Sequence, residues 1–263
     1  MKTTTWRAGG ASVMGASHHR RGTPNQDAAL WVPRQRGDDR FIIAVADGHG
    51  GADYFRSDVG AQLALLAMES ALEWFLDEPA SEDELAEDVV AIWRRLVAEH
   101  IGRHPFETEP ATSALSVYGS TLVCVAATQS HLLAFQLGDG DLMLGFADGR
   151  IETPLGTDAD LVGEETYSLC LTDAAKFVRS RLIQREDDTN WPDFALIATD
   201  GVSKSFVDFA AFKGVVTNYR ELVQSEEHLQ STLEGLPDWL NSVSEGGSGD
   251  DASLCIATSL AQA

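Results

Sequence analysis

A layered α+β fold, with strands interleaved with paired helices, is what this 263-residue chain predicts, on three observations. Short β-forming runs ending in Asp-Gly turns recur along it, two long amphipathic helices interrupt them, and strand and helix never fall into the regular βαβ order of a parallel sheet. Residues 41–46 are an unbroken apolar run closing at Asp47-Gly48, the pattern of a buried strand. After Gly50-Gly51 the period changes, and Leu65, Met68, Leu72, Phe75 and Leu76 recur at helical spacing. Ser81 followed by Glu84 is a capping box, and behind it Leu85, Val89, Ile92 and Leu96 form a stripe widened by Val90, Trp93 and Val97. Trp74 and Trp93 read as packing residues on these stripes. Gly102 and Pro105 end the second helix, where His100 and His104 suit the helix dipole, and residues 104–114 read as a loop.

From Ser116 onward, residues 122–127, 132–137 and 142–146 are short apolar runs joined by short turns, which predicts an antiparallel meander. Asp148-Gly149 supports a further hairpin, and the polar stretch 153–166 reads as a mobile loop or flap. A strand then leads to Asp200, helices fill residues 206–243, and Gly246-Gly247-Ser248-Gly249 turns the chain into a last strand over 252–258. No linker composition interrupts the chain, so residues 1–263 read as a single domain.

Composition narrows the function classes. Forty-one acidic residues against nineteen basic ones give a net charge of -22, which argues against nucleic acid, since duplex binding needs Lys and Arg to displace counterions. A phosphorylated substrate would need local positive charge, and divalent cations among carboxylates supply it. Cys124, Cys170 and Cys255 lie in apolar, strand-like stretches without metal spacing, which reads as buried thiols in a reducing compartment. Residues 1–21 lack the apolar run of a signal peptide, and no segment approaches the roughly 18 apolar residues that span a bilayer. A cytoplasmic protein, away from membranes, is the expectation.

The chemistry is carried by Asp27, Asp47, Asp139, Asp200 and Asp250, each beside glycine or at the edge of an apolar run. Carboxylates delivered at strand ends, with glycine permitting close backbone approach, suit Mg²⁺ or Mn²⁺ rather than zinc, which prefers Cys and His. A single Asp-Gly is an ordinary turn. The ordered set is more than that: Asn25-Gln26-Asp27, Asp47-Gly48-His49-Gly50-Gly51, Gly119-Ser120-Thr121, Gly138-Asp139-Gly140-Asp141, Thr199-Asp200-Gly201 and Gly249-Asp250-Asp251. Other patterns fail: there is no phosphate-cradling Gly-x-x-x-x-Gly-Lys loop, no His-Glu-x-x-His and no complete calcium loop.

Over nearly its whole length this set resembles the protein phosphatase 2C family, the metal-dependent serine/threonine phosphatases, in their compact bacterial form. The resemblance implies a central sandwich of two antiparallel sheets flanked by helix pairs, with two Mn²⁺ or Mg²⁺ ions in a cleft at one end and a third, weaker ion. It implies that Asp47 bridges both ions with the Gly48 carbonyl as a further ligand, that Asp200 and Asp250 complete the second ion's shell, and that Asp27 acts through water. Asp139 matches the aspartate of the third position, and His49 matches the acid that protonates the departing serine or threonine oxygen. The implied substrate is a phosphorylated protein, with a cognate serine/threonine kinase as a partner.

Two other readings use the same motifs, a non-catalytic module that binds a kinase or phosphoprotein and a phosphatase of small metabolites. Three departures stand out. Many members carry an arginine five residues before the first aspartate; this chain has Gly22 there, with Arg20 and Arg21 just upstream, either of which could hold a phosphate oxygen or sit in a solvated turn. The usual Asp-Asn of the last motif is Asp250-Asp251, which puts Asp251 at the asparagine position. Asp141 stands where an arginine is expected.

Overall fold

The computed structural model describes residues 4–33, 37–79, 81–156 and 166–260. Its strands form two five-stranded sheets in which every pairing is antiparallel. One sheet runs β1 (Trp6–Val13), β10 (Ala252–Ser259), β9 (Phe194–Ala198), β6 (Asp141–Gly145), β7 (Ile151–Glu152). The other runs β2 (Asp27–Val32), β3 (Phe41–Asp47), β4 (Leu122–Ala127), β5 (His131–Leu137), β8 (Arg179–Gln184).

The unbroken apolar run of β3 has a simple cause: both of its faces are covered. Phe41, Ile43 and Val45 point into the core between the sheets, where they meet Trp6, Ile197 and Cys255. Ile42, Ala44 and Ala46 point the other way, onto helices α2 (Ser57–Phe75) and α3 (Glu82–Arg103). On the far side, Leu196, Leu254 and Ile256 pack against α5 (Phe209–Leu222) and α6 (Glu226–Gly246). The result is the layered helix, sheet, sheet, helix sandwich that the sequence implied. Each fully buried side chain such as Ile43 contributes about 1.5–3 kcal/mol of hydrophobic stabilisation before entropy is subtracted.

The two long helices begin and end close to expectation. Ser81 accepts a hydrogen bond from the Glu84 N–H at 3.1 Å and the Glu84 carboxylate accepts one from the Ser81 N–H at 3.4 Å, so the capping box is formed. His100 and His104 lie against each other at the end of α3, tilted by 31° with 4.6 Å between ring centroids, and His100 is also tied to the Tyr118 hydroxyl at 2.8 Å.

Several expectations need correction. Trp74 is 81% exposed, because two helical steps past Leu72 place it on the opposite face of α2, whereas Trp93 is buried and donates to the Gly60 carbonyl. Cys124 and Cys255 are buried in β4 and β10, but Cys170 lies half-buried in a turn. The strand expected over 142–146 is β6, one residue earlier. Strand β1 gave no apolar signal because its glycines make way for neighbours: a Cβ on Gly9 would lie 2.3 Å from Leu233 of α6. Of the expected flap, residues 157–165 lie outside the described residues. No helix among the described residues is long and apolar enough to cross a membrane.

Candidate metal centre

Register delivers the acidic residues to one end of the sandwich. Asp27 opens β2 directly opposite Asp47, which closes β3. Asp141 opens β6 opposite Ala198, the last residue of β9, and Ala198 in turn faces Leu254 near the start of β10. Asp200, at the head of the short helix α4 (Asp200–Ser203), and Asp250 therefore emerge beside each other's strands. Asp47, Asp139, Asp200 and Asp250 line one cleft of about 860 Å³, together with His49, Tyr54, Thr121 and Lys204. Asp27 lies beneath it, 7% exposed, and accepts a hydrogen bond from the Thr199 hydroxyl at 2.7 Å. α1 (Ala16–Arg21) flanks the same end.

The turn after β3 is held rigidly. The Gly48 N–H donates to the Gln26 carbonyl at 3.0 Å, and a Cβ at position 48 would sit 2.5 Å from the Ser57 carbonyl, so only glycine fits. The Asp47 N–H donates to the Thr121 hydroxyl at 3.1 Å, which gives the Gly119-Ser120-Thr121 motif its role as a strap behind Asp47. His49 donates its N–H to the Gly119 carbonyl at 3.0 Å, and its carbonyl accepts from the Ser57 hydroxyl at 2.8 Å. Its ring stands edge-on to Tyr54, 5.1 Å between centroids.

The electrostatics are those of crowded like charges. Burial, reinforced by repulsion from Asp27 and Asp200, pushes the Asp47 carboxyl well above the usual carboxylate range. Burial also raises Asp27, against the opposing hydrogen bond from Thr199, and raises Asp200, with Asp139 adding repulsion and Lys204 opposing it. Asp139 is the exception: burial would raise it, but Lys204 and the Thr166 hydroxyl outweigh burial and hold it low. Burial also pushes the half-buried Asp141 up to about 6, against the opposing hydrogen bond from Ser203. Burial lowers His49, partly offset by Asp139.

A cluster of oxygen donors carrying surplus negative charge fits hard divalent cations. Its arrangement is open, however: among the described residues no three His, Cys, Asp or Glu side chains close around a common point. The reason is visible in the partners, since Lys204 draws Asp200 and Asp139 together while Asp27 turns to Thr199.

The adjacent aspartates of the last motif part company, as extended neighbours must. Asp250 has a 57% exposed side chain in the cleft, whereas Asp251 is 3% exposed. Asp251 accepts from the N–H groups of Gly15 and Gln26, each at 2.6 Å, and its carboxylate also lies 2.8 Å from Nδ1 of His18. It thus ties the start of β10 to the segments on either side of α1.

Arg20 and Arg21 are both exposed at the end of α1, outside the set of side chains that line the cleft. Arg20 approaches the last motif: one of its guanidinium nitrogens lies 3.9 Å from where a Cβ on Gly249 would be, and Gly249 precedes Asp250. Arg20→Ala is therefore expected to raise KM for a phosphopeptide roughly three- to tenfold while leaving the Mn²⁺ titration midpoint unchanged, and Arg21→Ala to change neither. Equal and unchanged kinetics in both variants would leave phosphate recognition to other groups.

Lys204 is the charged cleft residue that sequence reasoning missed, along with Tyr54, Thr166 and Tyr167. Its signal was available, because it follows Asp200 by four residues, the spacing at which an acid and a base meet across one helical turn.

The family model for Protein phosphatase 2C matches residues 14–241. The chain belongs to the protein phosphatase 2C family. The catalytic domain of the serine/threonine phosphatase PstP, solved in complex with two manganese ions, matches with a TM-score of 0.59 at 18% identity, covering 98% of this chain and 100% of that one. The Mycobacterium tuberculosis phosphatase PstP/Ppp gives 0.61 at 16% identity, with 98% and 100% covered. PppA, described as a key regulatory component of the T6SS in Pseudomonas aeruginosa, gives 0.56 at 18% identity, with 97% and 98% covered. At such identities the likeness is one of fold. No curated protein matches this protein phosphatase 2C chain significantly.

Proposed function

We propose that this chain is a single catalytic domain that hydrolyses phosphoserine and phosphothreonine in proteins with the help of Mn²⁺ or Mg²⁺. The observation that carries the reading is the arrival of Asp47, Asp139, Asp200 and Asp250, from separate strand ends, in one cleft that also holds His49. Asp47 with the Gly48 carbonyl, Asp200 and Asp250 would hold two ions, and Asp27 would support them from beneath. Bound there, two such ions supply an activated hydroxide and neutralise charge developing on the phosphoryl group.

The remaining work falls to the chain. The Thr121 strap fixes the backbone of Asp47, and the Gln26 and Ser57 contacts fix the turn that presents His49. Tyr54 limits the tilt of the imidazole. Burial lowers the pKa of His49, so its protonated form is a strong donor toward a departing serine or threonine oxygen. A substrate phosphorylated by a serine/threonine kinase, in the cytoplasm, completes the proposal.

His49→Ala is expected to slow hydrolysis of a phosphothreonine peptide by about 10²- to 10⁴-fold, and hydrolysis of an aryl phosphate far less, because an aryl oxide leaves without a proton. Equal losses on both substrates would assign His49 to orientation instead. The same assay run on sugar phosphates separates protein from metabolite substrates: the proposal expects the phosphopeptide to have the higher kcat/KM, and the opposite order would contradict it.

A further inference from the structure

Lys204 sits one turn along from Asp200, and its ammonium bridges two of the cleft's carboxylates. It pairs with Asp200 Oδ2 and lies 3.3 Å from Asp139 Oδ2. The other oxygen of Asp139, Oδ1, accepts from the Thr166 hydroxyl at 2.9 Å. Both oxygens of Asp139 are thus occupied by the chain's own donors. Among the described residues that line the cleft, Lys204 is the only lysine or arginine. Asp47 makes no ion pair of its own among the described residues.

We propose that Lys204 is a resident cation of the cleft, standing in the place of a third divalent ion between Asp139 and Asp200, so that this chain binds two metal ions and not three. The inference rests on the metal-centre reading above. A divalent ion needs oxygen ligands at about 2.0–2.2 Å and would have to enter where the ammonium already sits between these carboxylates, against its positive charge. Asp139 then serves as the counterion of Lys204, a positioning residue for the ammonium and not a ligand. Asp47 and Asp250, which Lys204 does not touch, and the Asp200 oxygen that it does not engage are left to hold the two ions.

The test counts ions. Mn²⁺ bound per chain is measured by calorimetry and by the loss of the free-Mn²⁺ EPR signal, for the wild type, Lys204→Met, Asp139→Asn and the double variant. Two ions are expected in the wild type, three in Lys204→Met, and two in Asp139→Asn, because its amide oxygen still accepts from Thr166 and no ligand has been lost. Two are expected again in the double variant, which lacks both the cation and the third ion's ligand. Three ions in the wild type, two in a folded Lys204→Met, or one in Asp139→Asn would each overturn the proposal. Asp139→Asn keeps the test decisive if Lys204→Met does not fold. A wild type that binds no Mn²⁺ removes the metal-centre reading itself, whereas a wild type with two ions and an unresponsive Lys204→Met removes only the role of Lys204.

Discussion

Asp47→Asn and Asp200→Asn are each expected to lower Mn²⁺-dependent hydrolysis of a phosphothreonine peptide by roughly a thousandfold or more while the fold persists. Asparagine keeps the size of the side chain and removes the charge that would hold the ions. A second readout separates this cause from a folding defect. The folded-state pKa of Asp47 is raised above its unfolded value, so the stability it contributes is present at acid pH and is lost as pH rises through the folded pKa. At neutral pH without metal the wild type therefore carries a repulsion that Asp47→Asn lacks, and the variant is expected to melt at the higher temperature. Saturating Mn²⁺ should reverse the order, since only the wild type retains the charge that binds it. Near-normal activity of either variant at saturating metal would contradict the assignment.

The adjacent aspartates at the start of β10 are expected to fail in different ways. Asp250→Asn removes a carboxylate from the cleft, so activity should fall by about 10²- to 10³-fold and most of the Mn²⁺-induced rise in Tm should vanish, with metal-free stability little changed. From sequence, Asp251→Asn restores the family's usual residue and is expected to keep most function. The structure adds a cost: an asparagine offers one acceptor oxygen where Asp251 accepts from two backbone N–H groups at 2.6 Å, and its amide would face a donor. An unsatisfied buried donor costs about 1–3 kcal/mol, so Asp251→Asn should lower metal-free Tm while the folded fraction keeps its activity. Melting curves with and without Mn²⁺, read beside kcat/KM, separate the two. The reverse ranking would place the motif one residue out of register.

What was legible in the sequence follows from how local each signal is. Strand β3 could be read because burial on both faces makes every position from Phe41 to Ala46 apolar. The cleft carboxylates could be read because each needs only a strand end and a neighbouring glycine or turn. β1 could not, since its glycines record the approach of Leu233, more than two hundred residues away, and not an apolar face of its own. Trp74 was misplaced because a residue two steps from a helical stripe is as near in sequence as one on it, yet lies on the far side. The engagement of Asp139 by Lys204 and Thr166 is a tertiary fact that no single motif contains. The approach of Arg20 to the last motif likewise appears only once Gly249 is placed beside α1.

The most direct test of a metal-dependent phosphoprotein phosphatase is phosphate release from a phosphothreonine peptide, titrated with Mn²⁺ and then with a chelator. Turnover should rise with Mn²⁺, fall to background when the chelator is in excess, return when Mn²⁺ is restored, and be missing at every concentration in Asp47→Asn. Hydrolysis that persists in excess chelator, or no hydrolysis at any Mn²⁺ or Mg²⁺ concentration by a folded, metal-loaded wild type, would contradict it.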